Sequence, residues 1–263
     1  FFPPEHFESY SDLLTQIVNR DFNRITRYTK SLAMDRLHQL PEARVSNSLI
    51  ANLFNPDVLL LQSAANSIYK MEPEAYQAHT NRIKPYSKLR LDEIIVPPVF
   101  AYKEEENYRK MLLVERVRFI KSLSSFAAIP GDSITRIVDA MNQRKVDKGT
   151  VLISEGDNVD LPLFVIIKGK VDLMRSDAVF KSLGPKDIMG EEIILFSEKY
   201  DYKAVAKEQT SFFILPKEEI FDLMTLHSEI LRAFLDLIDT SKKPESIDPF
   251  DLSILDDNVS VFN

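Results

Sequence analysis

The residues whose types and spacing most favour a chemical role lie in the stretch "DIMGEEIILFSEKYDYKAVAKE", from Asp187 to Glu208. Gly190 and Glu191 precede a short apolar run, and a Gly-Glu pair before a short helix is one way for a protein to hold a sugar phosphate. The loop that follows, "KYDYK", combines two lysines, two tyrosines and an aspartate. The stretch therefore contains half of an anion site beside a loop of mixed charge.

Other chemistry is poorly supported by the composition. The chain has no cysteine, which excludes disulfides, thiol nucleophiles and cysteine-based zinc sites and fits a reducing compartment. The four histidines are scattered without metal-ligand spacing: His6, His38, His79 and His227. We find no Ser/His/Asp constellation and no phosphate-cradling glycine loop of the Walker or Rossmann type, and the carboxylate pairs are adjacent in sequence. We therefore expect neither an enzyme nor a metal site.

The net charge of −7 is unevenly distributed along the 263 residues. Residues 1–120 carry 16 Lys+Arg and 15 Asp+Glu, whereas residues 121–263 carry 17 and 25. An acidic second half repels polyanions, so nucleic acid is not an expected partner. The longest apolar runs are far below the roughly 20 residues that span a bilayer. We expect a cytoplasmic chain that makes no membrane contact itself, and its first residue, Phe1, favours a fragment or a processed chain.

The first part of the chain predicts helices. Apolar positions recur at helical spacing through residues 7–90. Two helices of about a dozen residues are expected to meet at the turn Asn55–Asp57, where Asp57 can cap the second helix. Small residues at Ala64 and Ala65 suit a close helix crossing, so the pair resembles a HEAT-type repeat. Gln62 stands where such repeats usually carry arginine, and a generic helical hairpin remains the alternative.

The second part of the chain predicts strands. A Pro97-Pro98 junction precedes a helix expected from about Glu104 to Leu123. From about Lys145, short β-branched runs alternate with glycine-containing turns, as in a barrel or roll. The last apolar pattern, residues 217–238, predicts one long helix, and the polar, acidic residues after Thr240 predict a tail that is mobile or docked on a neighbour.

The region from about Phe126 to Ile238 resembles the cyclic nucleotide-binding domain shared by catabolite activators, kinase regulatory subunits and gated channels. The order of its motifs carries the resemblance: a helix with "DSITRIVDAM", the run "KGTVLISEGDNVDLPLFVIIKGKVDL", the opening "LGPKDIMGEEIIL", a hydrophobic strand and a C-terminal helix. The resemblance implies an α+β chain. An all-α, HEAT-like helical domain would be followed by a double-stranded β-helix or jelly-roll-like fold with flanking helices.

The resemblance also implies a phosphate-binding cassette, in which a glutamate holds the ribose hydroxyl and an arginine pairs with the cyclic phosphate. No arginine lies between Arg175 and Arg232, and the expected Pro-Arg falls on Lys199-Tyr200 or, with one extra residue, on Tyr200-Asp201. We predict that an aromatic or apolar residue of this loop, or of the C-terminal helix, partly fills the space over Gly190 and Glu191. The residues that could contact a ligand are Gly190, Glu191, Glu192, Ile193, Lys199, Lys203 and Ala204.

These observations predict a regulatory or protein-interaction module without enzymatic activity. The predicted divisions are a helical domain (1–96), a linker and connecting helix (97–125), the nucleotide-binding-like domain (126–240) and the acidic tail (241–263). No cofactor is expected, and the expected partner is a protein or neighbouring domain that contacts the helices. The alternative is a true sensor of a cyclic nucleotide or other small ligand, with Glu191 on the ribose and a lysine on the phosphate. The domain order is similar to cytoplasmic regions of some bacterial, transporter-like membrane proteins.

Overall fold

A computed structural model describes residues 7–20, 25–96, 110–158, 162–191 and 199–241. Within these ranges the chain is helical first and then forms strands bracketed by helices, as the sequence predicts. Short 3₁₀ turns lie at Asn52–Phe54 and Ser124–Phe126. The elements in chain order are α1 (Tyr10–Asn19), α2 (Arg27–Leu37), α3 (Asn47–Ala51), α4 (Val58–Met71), α5 (Pro73–Thr80), α6 (Pro85–Ile95), α7 (Leu113–Lys121), α8 (Gly131–Ala140), β1 (Asn142–Val146), β2 (Val151–Ile153), β3 (Leu163–Lys168), β4 (Val171–Arg175), β5 (Ala178–Leu183), β6 (Ile188–Met189), β7 (Lys203–Ala206), β8 (Thr210–Leu215), α9 (Lys217–Leu226) and α10 (Ser228–Ser241).

The long helix α4 is the centre of the helical part. Its predicted cap is present, because Asp57 Oδ1 accepts from the backbone N–H groups of Leu59 at 2.9 Å and Leu60 at 3.3 Å. Ala64 and Ala65 are completely buried, as expected for residues at a close crossing. Among the described elements, α2 makes the most extensive packing against α4.

The predicted pair of equal helices is wrong in its first member. Only Asn47–Ala51 is α-helical, and the chain continues as a 3₁₀ turn that ends before Asn55. Polar side chains tighten this segment, since Asn52 Nδ2 donates to the carbonyl of Ser48 and Asn55 Nδ2 donates to Asn52 Oδ1. The HEAT-like pairing therefore remains a resemblance in sequence.

Arg27, at the start of α2, joins three helices. Its Nε lies 2.6 Å from Asp57 at the start of α4, and its two terminal nitrogens contact both carboxylate oxygens of Asp139 on α8. This bidentate geometry is the strongest form of an arginine–carboxylate pair. Arg27 thereby ties the helical part to the helix that leads into the strands.

Replacing Arg27 with alanine is expected to lower the free energy of unfolding by about 1.5–3 kcal/mol, the usual scale for hydrogen bonds to charged groups. The loss leaves Asp57 and Asp139 without their shared cation. Urea unfolding followed by circular dichroism measures the change. Arg82→Ala, at an exposed arginine, is the control; equal stability of the two variants would contradict the role given to Arg27.

The connecting helix begins later than the sequence predicts. Of the expected helix from Glu104 to Leu123, residues 104–109 lie outside the described part and residues 110–112 are not helical, so that α7 starts at Leu113. Two side chains explain this start. Gln62 Oε1 accepts a hydrogen bond from the Leu113 N–H at 3.0 Å, and Glu115 Oε2 accepts one from the Leu112 N–H at 2.8 Å. Gln62, the departure from the repeat pattern, therefore caps the connecting helix.

A polar cluster lies beneath the contact of α2, α4 and α7. Asp35 is buried and pairs with Arg118 Nη1 at 3.0 Å, while Asn66 Nδ2 approaches Asp35 Oδ1 at 3.4 Å. His38 directly follows α2 beside this cluster, with its Nε2 3.4 Å from Lys70 Nζ. The cluster holds three helices through charged and polar contacts as well as apolar ones.

Stability is expected to fall as the pH drops below about 6.5, the ordinary pKa of histidine. Burial, followed by the charge of Lys70, lowers the pKa of His38 in the folded chain, with Arg118 and Arg36 adding to it and Asp35 opposing it. The folded chain then binds fewer protons at His38 than the unfolded chain, so this stabilisation is present above pH 6.5 and is lost below it. Thermal unfolding from pH 8 to pH 5 measures the slope. A His38→Gln variant with an identical slope would contradict the assignment.

The strands form a roll of two antiparallel four-stranded sheets. Sheet A has the strand order β1-β8-β3-β6, and sheet B has the order β2-β7-β4-β5. Aromatic and branched side chains fill the space between them, and Phe164 and Phe212 pack edge to face at 5.3 Å. One continuous hydrophobic core joins this interior to the helices. The predicted α+β architecture, helices followed by a β-roll with flanking helices, is confirmed.

The helix α8 lies directly against α2. A Cβ atom at Gly131 would fall 2.2 Å from the ring of Tyr28, so only glycine allows this approach. The Tyr28 N–H also donates to Asp132 Oδ1 at 3.3 Å. The close packing of α8 against α2 therefore requires glycine at position 131, where the helical part meets the helix that leads into the roll.

The C-terminal helix is broken, in contrast to the single helix that its apolar period predicts. His227 is extended, with φ −138° and ψ 96°, and separates α9 from α10. Ser133 Oγ on α8 donates to Glu229 at 2.5 Å and holds the new direction. After the break, Phe234 is buried edge-on against Phe126, at 5.6 Å between the rings. These contacts are between elements distant in sequence, so the local apolar period does not reveal them.

Among the described residues, no helix combines the length and the apolar character that a membrane crossing requires. The predicted tail after Thr240 falls almost wholly outside the described part of the chain.

Candidate functional site: the cassette between β6 and β7

Gly190 directly follows β6 and is fixed by two constraints. Its φ of +87° is in the left-handed region, which side chains with a Cβ rarely adopt. A Cβ here would also lie 2.8 Å from the carbonyl oxygen of Pro162, beside the start of β3. The backbone therefore passes close to the neighbouring strand at the point where the cassette opens.

The residues on either side of Gly190 have different surroundings. Met189 is buried and pairs with Phe164 across the β3–β6 ladder. Glu191 is half-buried. Glu192 and Ile193, which belong to the predicted ligand set, lie in the segment 192–198, outside the described residues.

From Lys199 to Ala206, the segment that leads into and forms β7, buried side chains alternate with exposed or half-exposed ones. Four residues at every second position are buried: Tyr200, Tyr202, Ala204 and Ala206. The positions between them are exposed or half-exposed. Side chains within β7 alternate between the two faces of sheet B, and the burial of the two tyrosines continues this pattern into the residues before the strand. Their rings pack edge to face at 5.7 Å.

The aspartate of this loop points away from the interior. Asp201 is exposed, and its carboxylate lies 2.6 Å from Arg175 at the end of β4. Arg175 also donates through Nε to the carbonyl of Asp201 and lies over the ring of Phe180 at 4.5 Å. Arg175 was not a predicted site residue, since only the β4–β7 pairing brings it to the loop.

The two lysines of the predicted set are not on the inner face. Lys199 is exposed and forms an isolated bridge with Asn158 through the backbone. Lys203 lies opposite Met174 in the β4–β7 ladder, at a position that alternates with the buried tyrosines. Ala204 is completely buried in sheet B. Of the predicted set, the described part of the structure brings Ala204 to the interior and leaves both lysines at the surface side of the loop.

The two registers that the sequence leaves open assign the arginine position to residues of different exposure. Without an extra residue, the arginine of the resembled motif corresponds to Tyr200, which points inward. With one extra residue it corresponds to Asp201, which points outward to Arg175. The residue at the arginine position is therefore buried in the first register and exposed in the second.

The described residues include no cluster of three or more histidines or carboxylates that could hold a metal ion. Two cavities with volumes of about 260 and 340 Å³ lie away from the cassette. The first is at the end of β8, next to Lys145 and Ser211, and the second is between α1 and α2.

Residues 143–227 match the family model described as the cyclic nucleotide-binding domain. The β-roll is a cyclic nucleotide-binding domain. The matched residues run from β1 to the break at His227, so they contain both sheets, the Gly190 turn and the tyrosine loop. A domain of this type supports a regulatory or sensor role.

Curated relatives of this domain include two kinase components. Human cGMP-dependent protein kinase 2 is 25% identical over 142 residues, which cover 52% of this chain and 18% of the kinase. The cAMP-dependent protein kinase regulatory subunit of Eremothecium gossypii is 26% identical over 118 residues, covering 43% of this chain and 25% of that protein. The chain therefore spans a quarter or less of the curated relatives it matches.

Similar solved structures include a regulatory subunit of a cAMP-independent protein kinase A from Trypanosoma brucei, at 19% identity and a TM-score of 0.44 over 50% of this chain and 48% of that one. The catabolite activator protein of Thermus thermophilus has 21% identity and a TM-score of 0.41, over 44% of this chain and 57% of that one.

Proposed function

We propose that the chain is a non-enzymatic regulatory module whose cyclic nucleotide-binding domain has lost its cyclic nucleotide. The observation that carries this proposal is the burial of the Tyr200 ring. In the register without an extra residue, which we adopt in this proposal, Tyr200 corresponds to the phosphate-binding arginine. The roll keeps the backbone of the cassette opening at Gly190, while its usual cation is replaced by an aromatic side chain.

The magnitude of the missing contact favours loss of binding. A hydrogen bond to a charged group contributes about 1.5–3 kcal/mol, which corresponds to roughly a tenfold to hundredfold change in affinity. Tyr200 and Tyr202 also occupy interior volume next to Ala204. A ligand would have to displace these rings as well as bind without the arginine.

The ion pair between Arg175 and Asp201 also supports the loss of cyclic-nucleotide binding. Asp201 is held by Arg175, so the arginine nearest to the loop is engaged at the surface. Lys199 and Lys203 alternate with the buried positions and lack the planar, bidentate geometry of arginine. Neither lysine occupies one of the buried positions of the loop.

The helical part supplies the contact to a partner in this proposal. The helices that flank the roll, α7 and α8, contact α2 through Arg27 and Tyr28 and α4 through Gln62. A protein or domain bound to the helices would therefore act on the roll through charged and packed contacts.

From domain order alone we further propose that the chain is the cytoplasmic part of a larger, transporter-like membrane protein. A full-length sequence without apolar segments of about 20 residues would contradict that context.

The alternative is a true sensor, and the retained geometry of Gly190 and Glu191 is the observation in its favour. A thermal-shift experiment with millimolar cyclic AMP and cyclic GMP separates the two functions. A ligand at a hundred times its dissociation constant adds about 2.7 kcal/mol of stability. We expect no change in melting temperature with either nucleotide, and a saturable rise with one of them would establish the sensor instead.

A further inference from the structure

A groove between the first two helices is a second candidate site. We call it the α1–α2 groove and define it by the residues that line it: Tyr10, Leu14, Ile17, Tyr28, Thr29, Leu32, Ala33, Asp35, Arg36 and Arg118. Its volume is about 340 Å³. Pockets of about 300–1,000 Å³ with apolar walls and few polar groups are typical of small-molecule sites.

The apolar lining follows the periodicity of both helices. On α1, Tyr10, Leu14 and Ile17 are spaced by four and three residues and form one stripe. Their span of seven residues corresponds to roughly 10 Å along the helix. On α2, Leu32 lies one turn after Tyr28 and completes the opposite wall. The groove is therefore an elongated apolar trough, open enough to leave Tyr10 56% exposed.

The charged groups are concentrated at one side of the groove. Arg118 reaches it from α7 and is paired through Nη1 with buried Asp35. A guanidinium has five N–H donors, so this pair leaves donors of Arg118 available, and its side chain is 43% exposed. Arg36, exposed on α2, adds a second guanidinium that donates to Gln39. With Asp35 offsetting one cation, the local charge is close to +1.

We propose that the α1–α2 groove binds a small aliphatic monocarboxylate. The hydrocarbon chain lies on Leu14, Ile17 and Leu32, and the carboxylate is bound by Arg36 and the exposed side of Arg118. The single net positive charge favours a monoanion over a phosphate dianion, because Asp35 repels additional negative charge. The length of the apolar trough favours a chain of medium length over acetate.

Isothermal titration calorimetry with decanoate, kept below its micelle-forming concentration, tests the proposal on the intact 263-residue chain. We expect saturable one-to-one binding of decanoate and no detectable binding of acetate. Decanol of the same chain length is expected to bind at least about tenfold more weakly, equivalent to 1.4 kcal/mol. Equal binding of decanol, or no saturable binding of decanoate, would overturn the proposal.

Two variants locate the site. Arg36→Glu, at an exposed position, is expected to weaken decanoate binding at least tenfold, and Leu32→Gln is expected to weaken it through the apolar wall. Arg82→Glu, at an exposed arginine in the turn between α5 and α6, is the control and should bind like the unmodified chain. Circular dichroism melting shows that each variant is folded. Unchanged affinity in the folded Arg36→Glu variant would contradict the assignment, as would an equal loss in Arg82→Glu.

Discussion

Replacing Tyr200 with alanine is expected to lower the free energy of unfolding by about 3–5 kcal/mol, the range measured for deletion of large buried aromatic side chains. Tyr200 is only 1% exposed, and its ring packs edge to face on Tyr202. If Tyr200 were instead an exposed loop residue beside an open ligand pocket, deleting its ring would lower the free energy of unfolding only slightly. The size of the loss therefore reports whether the ring belongs to the core of the roll.

Equilibrium unfolding in urea, with the slope of the transition checked for two-state behaviour, measures this loss. Tyr200→Phe keeps the ring and should retain most of the stability. Tyr10→Ala, at a tyrosine that is 56% exposed, is the control for aromatic deletion at the surface. A Tyr200→Ala loss as small as that of Tyr10→Ala would contradict the buried position and weaken the proposed function.

Replacing Gly190 with alanine is expected to destabilise the roll more than the same change at Gly156. Both glycines have φ +87°, so each substitution carries a similar backbone cost of about 1–3 kcal/mol. A Cβ at Gly156 has nothing within 4 Å, whereas a Cβ at Gly190 meets the Pro162 carbonyl at 2.8 Å. Overpacking adds about 1–3 kcal/mol at Gly190 alone.

The difference between the two alanine variants isolates the close approach of the cassette to β3. Chemical denaturation of both proteins under one set of conditions gives this difference directly. Equal destabilisation at Gly190 and Gly156 would show that the cassette opening is not held against β3 as described. The result is independent of ligand binding, so it tests the site geometry apart from the proposed function.

The sequence predicts the fold well because the relevant signals are local. Glycine-marked turns, β-branched runs and the Asp57 cap each depend on a few neighbouring residues, and all are present in the structure. The Gly190 turn belongs to the same class. The motif order from "KGTVLISEGD" to "MGEE" then indicates the cyclic nucleotide-binding domain that the family model matches.

What the sequence does not predict depends on contacts between distant segments. The break at His227 is held by Ser133, almost a hundred residues earlier, and the late start of α7 depends on Gln62. The burial of Tyr200, three residues before β7, depends on the packing of the roll and has no signal in the loop sequence. The partnership of Asp201 with Arg175 has no local signal at all.

The most direct measurement of the central claim is a two-dimensional amide NMR titration of the isotope-labelled chain with cyclic GMP and cyclic AMP at millimolar concentrations. If Tyr200 has replaced the phosphate-binding arginine and fills the interior, the amide signals of Gly190, Glu191 and Ala204 will not move. Saturable shifts confined to these residues would contradict the account and assign the roll as a working cyclic nucleotide sensor.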